Sequence, residues 1–275
     1  MDGMEMPRIG LGTWPITDRD DCVQMVRSGL EAGYRHVDTA QMYENEAHVG
    51  EAIETAGVPR EEVFVATKLV GSNLSYEDVL ASTEESLERL CLDYLDLLYV
   101  HFPRGDYDPA ETLPAMDELV NRGLVDNIGL SNFTPEYLDE ALEVLDHDLY
   151  AHQAEMHPLL HQRELLAYAR DHGHRFVAHT PLARGKVFDV PLLSEIADEY
   201  GVSEVELTIA WLLSKEKVHA IPKSTDPAHL QANFEAQEIT IDNSDLARID
   251  SLHEWRQERI NNPDNPAWGW QLSNE

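Results

Sequence analysis

Val63-Phe64-Val65-Ala66-Thr67-Lys68-Leu69 is followed by the helical-period stretch Tyr76–Leu90 and then by Tyr94-Leu95-Asp96-Leu97-Leu98-Tyr99-Val100-His101. Two apolar, β-branched runs of strand length thus flank one amphipathic segment of helix length. Outward from this unit the same alternation continues to both ends. Further strands are predicted at Pro7–Thr13, His36–Ala40, Val125–Ser131, Tyr150–Met156, Arg175–Pro181 and Val218–Ser224. Helical segments lie near Asp21–Ala32, Ala47–Ala56, Pro109–Asn121, Pro135–Leu145, Arg163–Asp171, Pro191–Leu213 (two helices) and Pro227–Phe234. Ser75, Thr134 and Asp226 read as N-caps, and Pro109, Pro135 and Pro227 as first-turn prolines. Gly33, Gly57, Gly123 and Gly173 stand where helices end. Eight strand–helix units are the number of a closed parallel barrel, so one (β/α)8 (TIM) barrel domain is expected over residues 1–275. Residues 242–275 add a helix (Asp242–Glu258) and a C-terminal tail. A doubly wound sheet would carry Gly-x-Gly-x-x-Gly after its first strand, but Gly10-Leu11-Gly12 continues as Thr13-Trp14-Pro15.

The chain of 275 residues has 52 acidic and 20 basic side chains, a formal charge of −32. That balance excludes nucleic acid as a main partner. With no apolar stretch of membrane length and no signal segment, a cytoplasmic protein away from membranes is expected. The acidic excess runs along the whole chain, which reads as the surface of a halophile. Cys22 and Cys91 both read as residues of apolar helix faces, too few for a disulfide framework. Of the 13 histidines, His172 and His174 fall on the rim opposite the expected site and most of the remainder read as surface residues, so no metal centre is expected.

In a parallel barrel the catalytic groups sit at the C-terminal ends of the strands. Here those ends carry Thr13 and Trp14, Asp38, Lys68, His101, Ser131 and Asn132, Gln153 and Glu155, His179, and Lys223 with Ser224. A buried lysine or aspartate is costly unless paired, so this ring of polar groups reads as the active site. Asp38 is joined by a short loop to Tyr43. A free phenol is a poor acid at neutral pH, and an adjacent ammonium, Lys68 held by Asp38, would lower its pKa.

In these residues the chain resembles the aldo-keto reductase superfamily over nearly its full length, and within it the short-loop prokaryotic members of the 2,5-diketo-gluconate reductase type. Asp38-Thr39-Ala40 with Tyr43, Lys68 and His101 have the order and spacing of the family's Asp-Tyr-Lys-His tetrad. Gly129–Phe133, Gln153 with His157-Pro158, Pro181-Leu182 and Ile221–Ser224 are similar to its cofactor-binding blocks. The resemblance implies reduction of small-molecule aldehydes or ketones by NADPH, with NADH as a second candidate, in a monomer. Tyr43 would then be the general acid, and Asp38, Lys68 and His101 its catalytic partners. Ser131, Asn132, Gln153, His179, Thr180, Leu182, Lys223, Ser224 and Asn233 would hold the dinucleotide.

Departures from the family pattern also stand out. His179 replaces a stacking tyrosine, and His229 and Ala232 replace an arginine and a glutamate of the adenosine-phosphate block. Phe102 replaces tryptophan, and with Trp14 it is expected to wall the substrate pocket, alongside Trp268 and Trp270. Two other functions use the same residues: a Schiff-base lyase with Lys68 as nucleophile, and a cofactor-binding redox-sensing subunit with little turnover.

Overall fold

The computed structural model describes residues 4–261. Eight parallel strands follow one another in sheet order: β1 (Leu11–Gly12), β2 (His36–Asp38), β3 (Phe64–Leu69), β4 (Leu97–Val100), β5 (Ile128–Ser131), β6 (Leu149–Glu155), β7 (Arg175–His179) and β8 (Val218–Ala220). The sheet closes between β8 and β1. Gly10 N–H donates to the Ala220 carbonyl (2.8 Å), Ala220 N–H to Arg8 (2.9 Å) and Gly12 N–H to Pro222 (3.1 Å). The strand ladders are shorter than predicted, although flanking residues still bond across them: Thr13 N–H donates to Asp38 O (3.1 Å) and Ile221 N–H to Ala178 O (3.2 Å).

Around the sheet lie α1 (Arg19–Ala32), α2 (Glu46–Thr55), α3 (Tyr76–Leu90), α4 (Pro109–Asn121), α5 (Pro135–Val144), α6 (Arg163–His172), α7 (Pro191–Tyr200), α8 (Glu204–Leu213) and α9 (Pro227–Glu235). Ser75, Thr134 and Asp226 each accept a first-turn N–H, as their sequence positions suggest. The predicted pair within 191–213 is separated by left-handed Gly201 and restarted by a capping box between Ser203 and Glu206. The single helix expected over Asp242–Glu258 is instead broken into α10 (Asn243–Asp250) and α11 (Leu252–Trp255), after which Arg256 is extended. Cys22 is buried as expected. Cys91 is exposed, because it ends α3 in the left-handed conformation (φ 53°) rather than lying on its apolar face.

Two apolar layers share the strands. The larger lies between sheet and helices; the smaller fills the barrel with Phe64, Ala66, Leu97, Tyr99, Ala151, Val177 and Ile221, closed from below by Met6. Side chains alternate along a strand, so the inner rows continue upward to Lys68, His101, Gln153 and His179. The packed interior thereby delivers its polar residues to one rim. The β5 glycine, Gly129, has a steric reason: a Cβ there would stand 2.4 Å from the Tyr99 ring.

Most histidines are not at the surface, contrary to the sequence reading. His36, His101, His152, His157, His161, His174 and His219 are buried. Strands covered on both faces show no polar–apolar alternation, so nothing in the sequence marks these rings as interior. His36 packs edge-on against Phe64 and His152 against Phe176.

Candidate active site

Lys68 is wholly enclosed. Its ammonium pairs with one Asp38 oxygen and donates to the Thr39 carbonyl at 2.8 Å. The other Asp38 oxygen accepts from Gln153 Nε2 at 2.8 Å, which fixes the carboxylate from two strands. Burial acts to lower the Lys68 pKa, but the charge of Asp38 and the hydrogen-bonded Tyr43 outweigh it, and the net shift is upward. Lys68 is therefore a permanent cation beneath the cavity floor.

Tyr43 ends a tight turn over Gln41–Tyr43 whose position is set by two amides the sequence reading passed over. Gln41 donates to Ser82 O and accepts from Val70 N–H and Asn73, while Asn45 donates to Thr13 O and Ile16 O and accepts from Thr39. These bonds tie the loops after β1, β2 and β3 together around the phenol. Their only sequence mark is a pair of amides two residues to either side of Tyr43. The expectation that Lys68 lowers the Tyr43 pKa is corrected: burial raises it more than Lys68 lowers it, and Asp38 raises it further. The phenol stays protonated through the neutral range.

His101 meets Tyr43 edge-on, ring centroids 5.7 Å apart, and stacks on Phe102 at 4.4 Å. Burial, then Lys68, His179 and Arg104, push its pKa well below the usual imidazole range, so it is neutral. A directional hydrogen-bond chain approaches from the other side. Asn261 donates to Thr180 Oγ1 (2.7 Å), and His179, bonded to Thr180 through Nδ1, reaches Asn132 Oδ1 through Nε2 (2.9 Å). Asn132 donates in turn to the His101 carbonyl (3.0 Å) and Ser131 Oγ (2.9 Å). With its pKa lowered to about 4, mainly by burial, neutral His179 donates at one nitrogen and accepts at the other. Glu155, which also lines the cavity described below, accepts from the backbone N–H groups of Ile260 and Asn261 and so fastens the segment after α11 to β6.

Asp38, Tyr43 and His101 open into one cavity of about 800 Å³. Its walls include Trp14, Phe102, Asn132, Gln153, His179, Thr180 and Leu182, and it extends to Lys223, Ser224, His229 and Asn233 at the start of α9. Of the residues singled out in the sequence, Lys68 and Ser131 do not face this space: Lys68 lies under it and Ser131 behind Asn132. Trp268 and Trp270 lie outside the described residues. The sequence reading missed Arg104, Arg184 and Arg259, which all line the cavity. The signal available was their scarcity, since acidic residues outnumber basic ones 52 to 20 and these three sit in connecting segments. Arg184 lies over the Trp14 ring (4.8 Å) and donates to Asn261 Oδ1 (2.8 Å). His172 and His174 flank the α6–β7 connection on the opposite rim, as expected.

The donor set fits an extended dinucleotide: amides beside a flat ring at one end, cations along the wall, and a hydroxyl and an ammonium at the far end. The aldo/keto reductase family model matches residues 8–254. Glyoxal reductase of Bacillus subtilis is 36% identical, covering 96% of this chain and 94% of its own. Methylglyoxal reductase of Escherichia coli O157:H7 is 34% identical, covering 97% of this chain and 100% of its own. The solved structure of MGS-M4, an aldo-keto reductase enzyme from a Medee basin deep-sea metagenome library, superimposes with a TM-score of 0.89 at 33% identity over 95% of this chain and 97% of that one. A closed (β/α)8 barrel with an Asp–Lys–Tyr–His cluster at its rim, matched along nearly all its length, belongs to the aldo/keto reductase family and is a nicotinamide-dependent carbonyl reductase.

Proposed function

We propose that the enzyme reduces small aldehydes, 2-oxoaldehydes among them, with NADPH as the preferred reductant and Tyr43 as the proton donor. The observation that carries this reading is Tyr43 lying between the buried Lys68 ammonium, 5.2 Å from its ring centroid, and the cavity that reaches Lys223. When bound, the reduced nicotinamide supplies hydride to the carbonyl carbon. Tyr43 passes its proton to the carbonyl oxygen, and the phenolate left behind is stabilised by Lys68, whose charge Asp38 holds in place. His101, being neutral, has no acidic proton to compete with Tyr43; it orients the substrate oxygen. Asn132 and Gln153 bind the carboxamide, His179 lies against the nicotinamide, and Ser131 holds Asn132 in its rotamer. Thr180, Leu182 and Arg184 line the pyrophosphate path, Lys223 and Ser224 the 2′-phosphate, and Asn233 the adenine.

The glyoxal and methylglyoxal reductases among the relatives support this substrate class, and the exposed Trp14, Met42 and Phe188 give the rim an apolar character suited to small aldehydes. Lys68 cannot serve as a Schiff-base nucleophile, since that needs a neutral amine in contact with substrate. The test is oxidation of NADPH and of NADH, followed separately by absorbance, with a panel of small aldehydes. Tight cofactor binding without turnover would favour the redox-sensing subunit instead.

Two further expectations attach to this reading. Lys223→Ala should raise the NADPH dissociation constant roughly tenfold and that for NADH by less than threefold, the loss of one charge-assisted phosphate contact; equal effects would remove Lys223 from the 2′-phosphate. The chain works as a cytoplasmic monomer whose surface of charge −32 is suited to concentrated salt. Its melting temperature should therefore rise between about 0.1 M and about 2 M KCl as self-repulsion is screened. An unchanged value would oppose a halophilic origin.

A further inference from the structure

We propose that Asn261 is a positioning residue for hydride transfer, acting through Thr180 and His179 to set which way the Asn132 amide faces. This rests on the reductase reading, in which Asn132 binds the carboxamide and His179 lies against the nicotinamide. Four side chains carry the effect in single file. Asn261 Nδ2 lies 2.7 Å from Thr180 Oγ1, Thr180 Oγ1 lies 3.1 Å from His179 Nδ1, and His179 Nε2 lies 2.9 Å from Asn132 Oδ1.

The direction of every bond in this file is fixed from both ends. At one end the His101 carbonyl can only accept, so Asn132 turns its amide nitrogen to it (3.0 Å) and its Oδ1 to His179. His179 Nε2 therefore carries the ring proton. Burial keeps the imidazole neutral, so Nδ1 is a lone pair and the Thr180 hydroxyl donates to it. Thr180 Oγ1 is then left to accept, which calls for the amide nitrogen of Asn261. At the other end a guanidinium can only donate, and Arg184 donates to Asn261 Oδ1 at 2.8 Å, which turns the Asn261 nitrogen to Thr180. The polarity that the carbonyl requires is the polarity that the guanidinium imposes.

Backbone strain marks the same residues. Thr180 and Asn132 are both left-handed, with φ of 52° and 65°. That region suits asparagine but is costly for a β-branched residue. The hydroxyl that bridges His179 and Asn261 gives a reason for a threonine at such a position. Asn261 is itself anchored, since its backbone N–H donates to Glu155 Oε2 at 2.8 Å. Asn132 has both amide hydrogens committed, to the His101 carbonyl and to Ser131 Oγ, and turning its amide over would set two oxygens face to face at that carbonyl. A reversal started at Asn261 is therefore felt at the nicotinamide end.

Asn261→Asp produces that reversal. A carboxylate still accepts from Arg184 but has no hydrogen for Thr180, whose hydroxyl then turns towards it. Thr180 accepts from His179 Nδ1–H instead, and the bare Nε2 faces Asn132 Oδ1. Asn261→Ala leaves Thr180 free to go on donating to His179.

The experiment measures single-turnover NADPH oxidation with a small aldehyde, and the NADPH dissociation constant by quenching of tryptophan fluorescence, in the wild type, Asn261→Ala, Asn261→Asp, His179→Phe and the two double variants. Asn261→Asp should slow the hydride step roughly tenfold and Asn261→Ala about threefold, while their NADPH dissociation constants stay within about threefold of each other. With His179→Phe, which keeps a flat ring but cannot pass on the polarity, the Asp and Ala variants should react at one rate. An Asn261→Asp variant no slower than Asn261→Ala overturns the assignment. So does an Asp-to-Ala difference that survives beside His179→Phe, which would mean that the added charge acts through space. A wild type that binds NADPH but oxidises it with no aldehyde sinks the reductase reading itself, and this proposal with it.

Discussion

Tyr43→Phe should lower kcat/KM for aldehyde reduction by about 10³-fold, near 4 kcal/mol of transition-state stabilisation, while the NADPH dissociation constant stays within about twofold. The change removes one hydroxyl and keeps the ring against His101. No neighbour can take over. His101 is held neutral by burial and by Lys68, and Lys68 is enclosed and already committed to Asp38 and Thr39. Because burial keeps the phenol protonated, wild-type activity should also show no loss between pH 6.5 and pH 8 from ionisation of the acid. Single-turnover rates of the two proteins with one aldehyde decide the matter. A variant retaining a tenth of wild-type rate would take the proton donation away from Tyr43.

The second large effect is on stability. Lowering the pH from 7 to 5.5 should cost on the order of 1 kcal/mol for each histidine that is neutral inside the fold and free to protonate in the unfolded chain. Burial is the first cause at every one of them: His36 and His152 are lowered to about 3, His161, His174, His179 and His219 to about 4, and His101 well below its usual range. Their folded pKa values lie below the unfolded value near 6.5. The stability they contribute is accordingly complete above about pH 6.5 and lost as the pH falls, because the unfolded state then binds more protons. Summed over these rings, the loss is comparable with the whole stability of an ordinary domain, about 5–15 kcal/mol.

Relief of the acidic surface charge does not intervene, since ordinary carboxylates titrate near pH 4. Denaturant melts at fixed salt should show ΔG falling steeply below pH 6.5, with a shallower slope in His152→Phe. A midpoint that is flat from pH 7 to 5.5 would mean these rings already find proton acceptors in the fold.

The helices were legible because their ends are written in local chemistry: Tyr76–Leu90 and Pro109–Asn121 are bounded by a cap and a first-turn proline that act within four residues. The tetrad was legible because a lysine or aspartate closing an apolar strand run has few places to be. Long-range packing hid the remainder. Whether Lys68 or burial governs the Tyr43 phenol is a contest of magnitudes, and burial is not written in any window of sequence. Arg104 owes its position to a glycine contact between two separate loops, Gly71 with Gly105. Glu155 looked like one more rim carboxylate until the segment after α11 was found hanging from it.

Beneath Lys68 the Tyr99 ring lies 5.9 Å away and fills the space where Gly129 has no side chain. Tyr99 and Gly129 are sized to one another, so a change at either forces a change at its partner. Around the mouth, Trp14, Met42 and Phe188 are exposed and outside the buried core, so changes there disturb fewer packed neighbours. A search for altered substrate preference by single substitutions will accordingly accumulate its successes at the rim and leave the base of the barrel untouched, so the reaction is inherited intact while its clientele drifts.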